Sequence, residues 1–200
     1  SAPIVEVDIR VANLLYIFRD AEVIKVFSWI TLLAKWEIVV SAAIITSCIL
    51  LFRQKGMYLF PLWIVIAGSE LLNLLGKLFF HRVRPITAIY TEGSFSFPSG
   101  HATMAVAFYG FIVYIISRHV KRKSKKINIV FWGLLVILAI GFSRLYLCFH
   151  YWSDVWGGYL LGLLWLIIGI CISEWSEYHR DVEPYTPTKR VKLISAALIA

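Results

Sequence analysis

Residues 154–173 read DVWGGYLLGLLWLIIGICIS, a run of twenty residues whose only charge, Asp154, stands at its first position. At 1.5 Å of rise per residue, a helix of that length is about 30 Å long, the thickness of a bilayer's hydrocarbon core. Lipid offers no partner for backbone N–H and C=O groups, so such a run must satisfy them internally, as a helix. Four more apolar runs, at about 37–52, 57–76, 101–117 and 127–143, approach or reach spanning length. Hydrophobic residues form 60% of the chain and charged residues 16%. Soluble domains average about 45–50% and about 25%, so an ordinary soluble fold is excluded. The expectation is an all-α polytopic transmembrane helical bundle with five spans.

The flanks extend that picture. Residues 191–200 read as the start of a sixth span. The opening Ser-Ala-Pro lacks the basic segment and cleavage site of a signal peptide. Residues 1–200 are therefore expected to be a single membrane domain excised from a longer polytopic chain. Between 7 and 35, Val11, Leu14, Leu15 and Phe18 recur at helical spacing among the charged Asp8, Arg10, Arg19 and Asp20. That pattern suits an N-terminal amphipathic interfacial helix over one mouth of the bundle. Residues 24–35 equally suit an extension of the first span.

A net charge of +8 invites a nucleic-acid reading, but the placement of the charges opposes it. Twelve of the twenty Lys and Arg residues lie in 53–55, 118–126 and 180–192, which five spans put on one side of the membrane. The positive-inside rule makes that side cytoplasmic, and the macroscopic partner is the lipid bilayer, not nucleic acid. Cys48, Cys148 and Cys171 are three, widely spaced and set in apolar sequence, so they form no disulfide framework and read as small buried hydrophobes.

Three polar blocks stand at the ends of these spans: KLFFHRVRP (77–85), PSGH (98–101) and SRLYLCFHYWSD (143–154). Alternation of the spans brings all three to the face opposite the basic turns. Lys77, Arg84 and Arg144 are permanent cations suited to a phosphate group, and the arginines grip oxygens bidentately. Ser99 and Gly100 open a span, where backbone N–H groups form an anion site. His150 and Asp154 are four residues apart and share a helical face, so the carboxylate fixes the ring and leaves its other nitrogen free to attack. His101, on a different span, is placed to protonate a leaving oxygen. No carboxylate cluster is available for a catalytic metal, so neither metal nor other cofactor is expected.

The pattern Lys-x6-Arg-Pro, Pro-Ser-Gly-His, Ser-Arg-x5-His-x3-Asp resembles the type 2 phosphatidic acid phosphatase family at every specified position. The resemblance is strong over residues 57–173. It implies a phosphohistidine intermediate on His150, Asp154 as its orienter and His101 as general acid. It also implies phosphate contacts from Lys77, Arg84, Ser99, Gly100 and Arg144. In some bacterial members such a unit is similar to the second half of a fusion with a DedA-type membrane domain. The expected activity is hydrolysis of a membrane lipid phosphate or diphosphate, of the isoprenyl diphosphate, phosphatidylglycerophosphate or phosphatidic acid class, at the extracytoplasmic face of a bacterial inner membrane. Transfer of the phosphoryl group to another lipid is the chemical alternative. A vanadate haloperoxidase shares related motifs, and a transport or scaffold domain with vestigial motifs is the non-catalytic alternative.

Singly, each residue has a plainer role. Asp154 and Ser99 suit helix caps, Lys77 and Arg84 interface cations, and His150 an interfacial histidine. His81, Arg82, His119 and His179 lack partners in the pattern and read as solvated loop residues. Glu70 and Asn73 lie within a span, on the face of Lys77, where a structural hydrogen bond and a substrate or proton role carry equal weight.

Overall fold

The computed structural model describes residues 3–89 and 93–182. Its helices are α1 (Pro3–Ile17), α2 (Ala21–Leu32), α3 (Trp36–Phe52), α4 (Leu59–Phe80), α5 (Gly100–His119), α6 (Lys123–Tyr146) and α7 (Trp152–Val182). Each of α4 to α7 is long and apolar enough to cross a bilayer, counting with α4 the short 3-10 turn before it. Helices α2 and α3 meet the same test as a pair bent by 46°, so counting the pair once gives the five expected spans. The expected start of a sixth span at 191–200, and the basic residues Lys189, Arg190 and Lys192, lie outside the described residues.

Local chemistry sets the breaks. Asp20 accepts from the N–H groups of Glu22 and Val23 at 2.9 and 3.1 Å and so starts α2. At the bend between α2 and α3, the Leu33 carbonyl is taken by the Tyr109 hydroxyl at 2.6 Å, which satisfies a group that a broken helix would otherwise leave orphaned. Residues 24–35, open to either reading in sequence, are thus mostly a helix of their own, packed on α6. Helix α1 lies across the end of the bundle that carries the three motif blocks, against α6 and α7; of its apolar pattern Val11 and Leu15 are half-buried and Leu14 and Phe18 exposed, while the charged Asp8 is the residue it buries.

Tyr58, Leu62, Ile66, Phe108 and Phe111 fill the core between α3, α4 and α5, with Trp165 and Leu166 of α7 packed against them. Phe52, Phe131, Trp132 and Leu160 point outward, as a lipid-facing surface requires. Cys148 is buried as expected, but Cys48 and Cys171 are exposed on that apolar surface, where a small hydrophobe fits lipid as well as a core. Within α5, residues Ala105–Tyr109 widen into a π turn, one turn beyond His101.

Although α6 and α7 are joined by a short turn, α7 packs chiefly on α4 and α5. Two glycines permit this. A Cβ on Gly158 would lie 2.6 Å from the Ser99 carbonyl oxygen, and one on Gly162 would lie 2.4 Å from that of Thr103. Backbone cannot swing aside as a side chain can, so close approach of the two helices requires glycine at both positions.

Gly162→Ala should therefore push α7 from α5, at an overpacking cost of about 1–3 kcal/mol, and lower both Tm and turnover. Gly93→Ala, where an added Cβ meets no heavy atom within 4 Å, should leave both unchanged. Thermal unfolding of the two variants in detergent checks the contrast; equal Tm values would refute the close-approach account.

Candidate active site

Helix α4 ends at His81, whose left-handed φ of 46° stops the helix and releases the chain into an irregular segment. From it Arg82 reaches Asp8 and Asp154, while Arg84 reaches the Nε2 side of His150. Arg84 is held from several sides. Its Nε donates to the Ser94 carbonyl at 2.8 Å, Nη2 to Ser94 Oγ at 3.0 Å and Nη1 to the Phe149 carbonyl at 2.8 Å. Nη1 also lies 3.2 Å from His150 Nε2. Guanidinium has no acceptor, so Nε2 must offer its lone pair there, and the imidazole proton belongs on Nδ1. Lys77, one turn back on α4, donates to Ser94 Oγ at 3.2 Å.

Asp154 faces the other side of that ring. Its Oδ2 is 3.6 Å from His150 Nδ1, accepts the Tyr151 N–H at 2.8 Å and takes a short hydrogen bond from Ser96 Oγ. Its Oδ1 accepts from Arg82 Nη1 at 2.6 Å. The bond to Tyr151 is the reach-back half of a capping box, so the plain role of Asp154 as a cap of α7 is real and coexists with its place beside His150.

Ser99 differs. It precedes the first turn of α5, yet its side chain makes no capping bond, and Oγ is buried without a hydrogen-bond partner among the described residues. Its N–H goes to the Asp154 carbonyl at 3.0 Å, so that backbone donor, expected for phosphate, is occupied by the fold. A buried hydroxyl without a partner costs free energy unless a ligand supplies one.

Lys77, Arg84, Gly100, His101 and His150 line one cavity of about 160 Å³. That space is ample for a phosphate group. Glu70, Ala34 and Trp36 line the same cavity, the last two from the α2–α3 bend. Arg144 is buried behind it, with Nη1 donating to Thr31 Oγ1 at 3.1 Å and its guanidinium 4.3 Å above the Phe149 ring. Arg144, Lys77 and Arg84 are the cationic neighbours of His101, and His150 its titratable one. The three blocks thus converge, as their spacing implied. Among the described residues no group of three or more His, Cys, Asp or Glu is placed to hold a metal ion.

One expectation is overturned. Arg82 is not a solvated loop residue: it binds Asp154, Ser153 and Asp8 at 2.6 Å each and lies 4.5 Å above the Tyr151 ring. Burial disfavours its cation, but the Asp8 hydrogen bond and the two carboxylate charges outweigh this and hold its pKa above the ordinary value. Its carboxylate partners lie 72 and 74 positions away, so no local pattern signalled them. His81, His119 and His179 are exposed, as expected, but His119 and His179 are helical and not loop residues, each with Nδ1 by the carbonyl one turn back, and His119 also packs edge-on against the Tyr58 ring. Asn73 donates to the Pro98 carbonyl and to Thr103 Oγ1 at 3.3 Å each, a structural tie, and it also lines the cavity with Glu70. Ser96, Thr31 and Asp8 carried no signal, since their partners are distant in sequence.

Cations and paired histidines gathered at the membrane end of a polytopic bundle, around a phosphate-sized cavity, define an integral-membrane phosphatase. The family model of the PAP2 superfamily matches residues 58–178, and the chain belongs to that superfamily. It is 32% identical over 160 residues to phosphatidylglycerophosphatase B of Bacillus subtilis (strain 168), covering 78% of each chain. The crystal structure of a transmembrane PAP2 type phosphatidylglycerolphosphate phosphatase from Bacillus subtilis superposes with a TM-score of 0.81 at 26% identity, covering 93% of this chain and 90% of that one. Aquifex aeolicus LpxE shares the fold, with a TM-score of 0.66 at 24% identity over 82% of this chain and 94% of its own.

Because Arg84 is held as a planar fork by backbone and side-chain acceptors on all three of its nitrogens, lysine cannot take its place. Arg84→Lys should keep the charge yet reduce kcat/KM roughly a hundredfold and weaken vanadate inhibition in step. Steady-state kinetics with and without vanadate check this; activity within threefold of the parent would remove Arg84 from phosphate binding.

Proposed function

We propose that this phosphatase hydrolyses a membrane lipid phosphate or diphosphate through a phosphohistidine on His150, with its site on the extracytoplasmic face. The observation that carries the reading is the division of the His150 ring: Nδ1 toward Asp154, Nε2 toward the cation-lined cavity, 3.2 Å from Arg84 Nη1. The Nε2 lone pair attacks phosphorus, and the bond from phosphorus to the lipid oxygen breaks. His101 gives its proton to that oxygen as it leaves. Asp154 stabilises the positive charge that grows on the ring, and Lys77, Arg84 and Arg144 the negative charge on the phosphoryl oxygens. Ser99 Oγ and the first turn of α5 at Gly100 add donors. In the second half, His101 takes a proton from water as the water's oxygen bonds to phosphorus, and the bond from phosphorus to Nε2 breaks, releasing inorganic phosphate. None of these steps calls on a metal.

A phosphate-sized cavity at the bilayer interface favours a substrate whose tail stays in lipid. The resemblance to the Bacillus subtilis phosphatidylglycerophosphatase supports phosphatidylglycerophosphate first, with phosphatidic acid and isoprenyl diphosphate as further members of the same chemical class. The sidedness rests on the basic turns at 53–55 and 118–126, which stand at the opposite end of the bundle from the cavity.

One experiment tests both parts. Short-chain, water-soluble analogues of these lipids are offered to sealed right-side-out and inverted vesicles containing the protein, with and without EDTA. Phosphate should be released by right-side-out vesicles, unaffected by chelator, and by inverted ones only after permeabilisation. Release confined to inverted vesicles would place the site in the cytoplasm, activity restored only by added Mg²⁺ would overturn the metal-free mechanism, and no release from any analogue would overturn the lipid-phosphatase reading.

A further inference from the structure

Arg82 and Asp8 belong to none of the three motif blocks' specified positions, and Asp8 lies outside the region 58–178 that matches the family. Yet both are built into the catalytic end. Asp8, on α1, is 1% exposed. Its Oδ1 accepts the Ser153 N–H at 2.9 Å, and its Oδ2 accepts from Ser153 Oγ and Arg82 Nη2 at 2.6 Å each. A residue of the interfacial helix thereby caps the first turn of α7 from outside that helix. The Arg82 fork spans the gap, with Nη2 on Asp8, Nη1 on Asp154 and its face on Tyr151.

We propose that Arg82 and Asp8 are positioning residues for phosphoryl transfer: Arg82 fixes the carboxylate of Asp154 beside His150, and Asp8 shares the Arg82 charge so that Asp154 stays effectively anionic toward the imidazole. The proposal rests on His150 being the nucleophile that Asp154 orients.

Two features support it. The first is geometry. Asp154 Oδ1 is committed to Arg82, while Ser96 and the Tyr151 N–H hold Oδ2, so the carboxylate cannot rotate away from the ring. The second is charge. A lone Arg82–Asp154 pair would be neutral and would do little to stabilise a ring that becomes cationic as it bonds to phosphorus. With two buried carboxylates around one guanidinium, the cluster keeps a net negative charge on the Nδ1 side of His150. The groups on the cavity side are Lys77 and Glu70 from α4, Arg84 from the segment after α4, His101 from α5 and Arg144 from α6, so three permanent cations face one carboxylate there. A site with that many cations on one side of the ring needs an uncancelled anion on the other, or Nε2 would be a poor nucleophile. Helix α1 would then be part of the catalytic unit and not only a cover for it.

The test uses Asp8→Asn, which is isosteric, and Arg82→Lys, which keeps the cation but cannot bridge two carboxylates, in the complete chain. Removing the Asp8 charge disfavours the protonated, non-nucleophilic form of His150, so the acid limb of the kcat/KM profile should move to lower pH, by about one unit or less. In both variants kcat should fall roughly tenfold or more while KM stays within about threefold, because the phosphate cage is untouched. Slowed formation of a trapped phosphoenzyme should account for the loss. Should Asp8→Asn fail to fold, Arg82→Lys carries the same split between kcat and KM. A merely structural role would instead lower Tm, raise KM in step with the loss of kcat and leave the acid limb in place; that result, or unchanged kinetics in both variants, overturns the proposal. Absence of phosphohistidine in the parent protein would show a different failure, that of the nucleophile itself, and would remove the basis for this inference too.

Discussion

Asp154 is a fully buried carboxylate at the first turn of a membrane-spanning helix, and much of the site end of this protein is arranged so that it can be there. An ionised carboxylate taken out of water costs several kcal/mol unless charge and hydrogen bonds replace its hydration. Here the replacements come from separate parts of the chain: Arg82 and Ser96 from the segment between α4 and α5, and Tyr151 from the turn before α7. The Asp154 carbonyl adds a tie to Ser99 at the start of α5. Satisfying this one residue therefore brings the ends of α4, α5 and α7 into register. The close contacts at Gly158 and Gly162 let α7 lie near enough to α5 for the last of these ties to form.

The same arrangement separates the problem of holding phosphate from that of holding lipid. Large aromatic and aliphatic side chains fill the half of the bundle around Tyr58 and Phe111, while polar groups gather around a cavity of about 160 Å³ at the other. The bend between α2 and α3 contributes Ala34 and Trp36 to its wall, so the bend is part of the site and not a defect in the bundle.

The spans and their order were legible in the sequence because lipid imposes a length and an apolar composition that few other constraints produce. The motif blocks were legible because phosphate chemistry demands particular residue types at helix ends, and Lys77, Arg84, Gly100, His101 and His150 do meet around one cavity. What the sequence did not reveal are partnerships across long separations. Asp8 and Arg82 are 74 positions apart and Ser96 and Asp154 are 58 apart, and hydropathy periodicity says nothing of such pairs. A charged residue in a polar loop is usually solvated, and Arg82 departs from that rule because Asp8 and Asp154 both reach it. Ser99 shows the converse, since its sequence position suggested a cap and its side chain makes none. The break between α2 and α3 was also obscure, because Leu33, Ala34 and Lys35 contain neither proline nor glycine, and the Tyr109 hydroxyl that satisfies the break lies 76 residues away.

The account stands on His150 as the group that accepts the phosphoryl. Its most direct measurement is rapid acid-free quenching of the purified protein during turnover of a ³²P-labelled lipid phosphate, followed by peptide mapping of the labelled site. The result expected is a phosphoramidate on His150, labile in acid and stable in base, absent from His150→Ala and retained in slower form by His101→Ala. Label on another residue, or full turnover by His150→Ala, would contradict it.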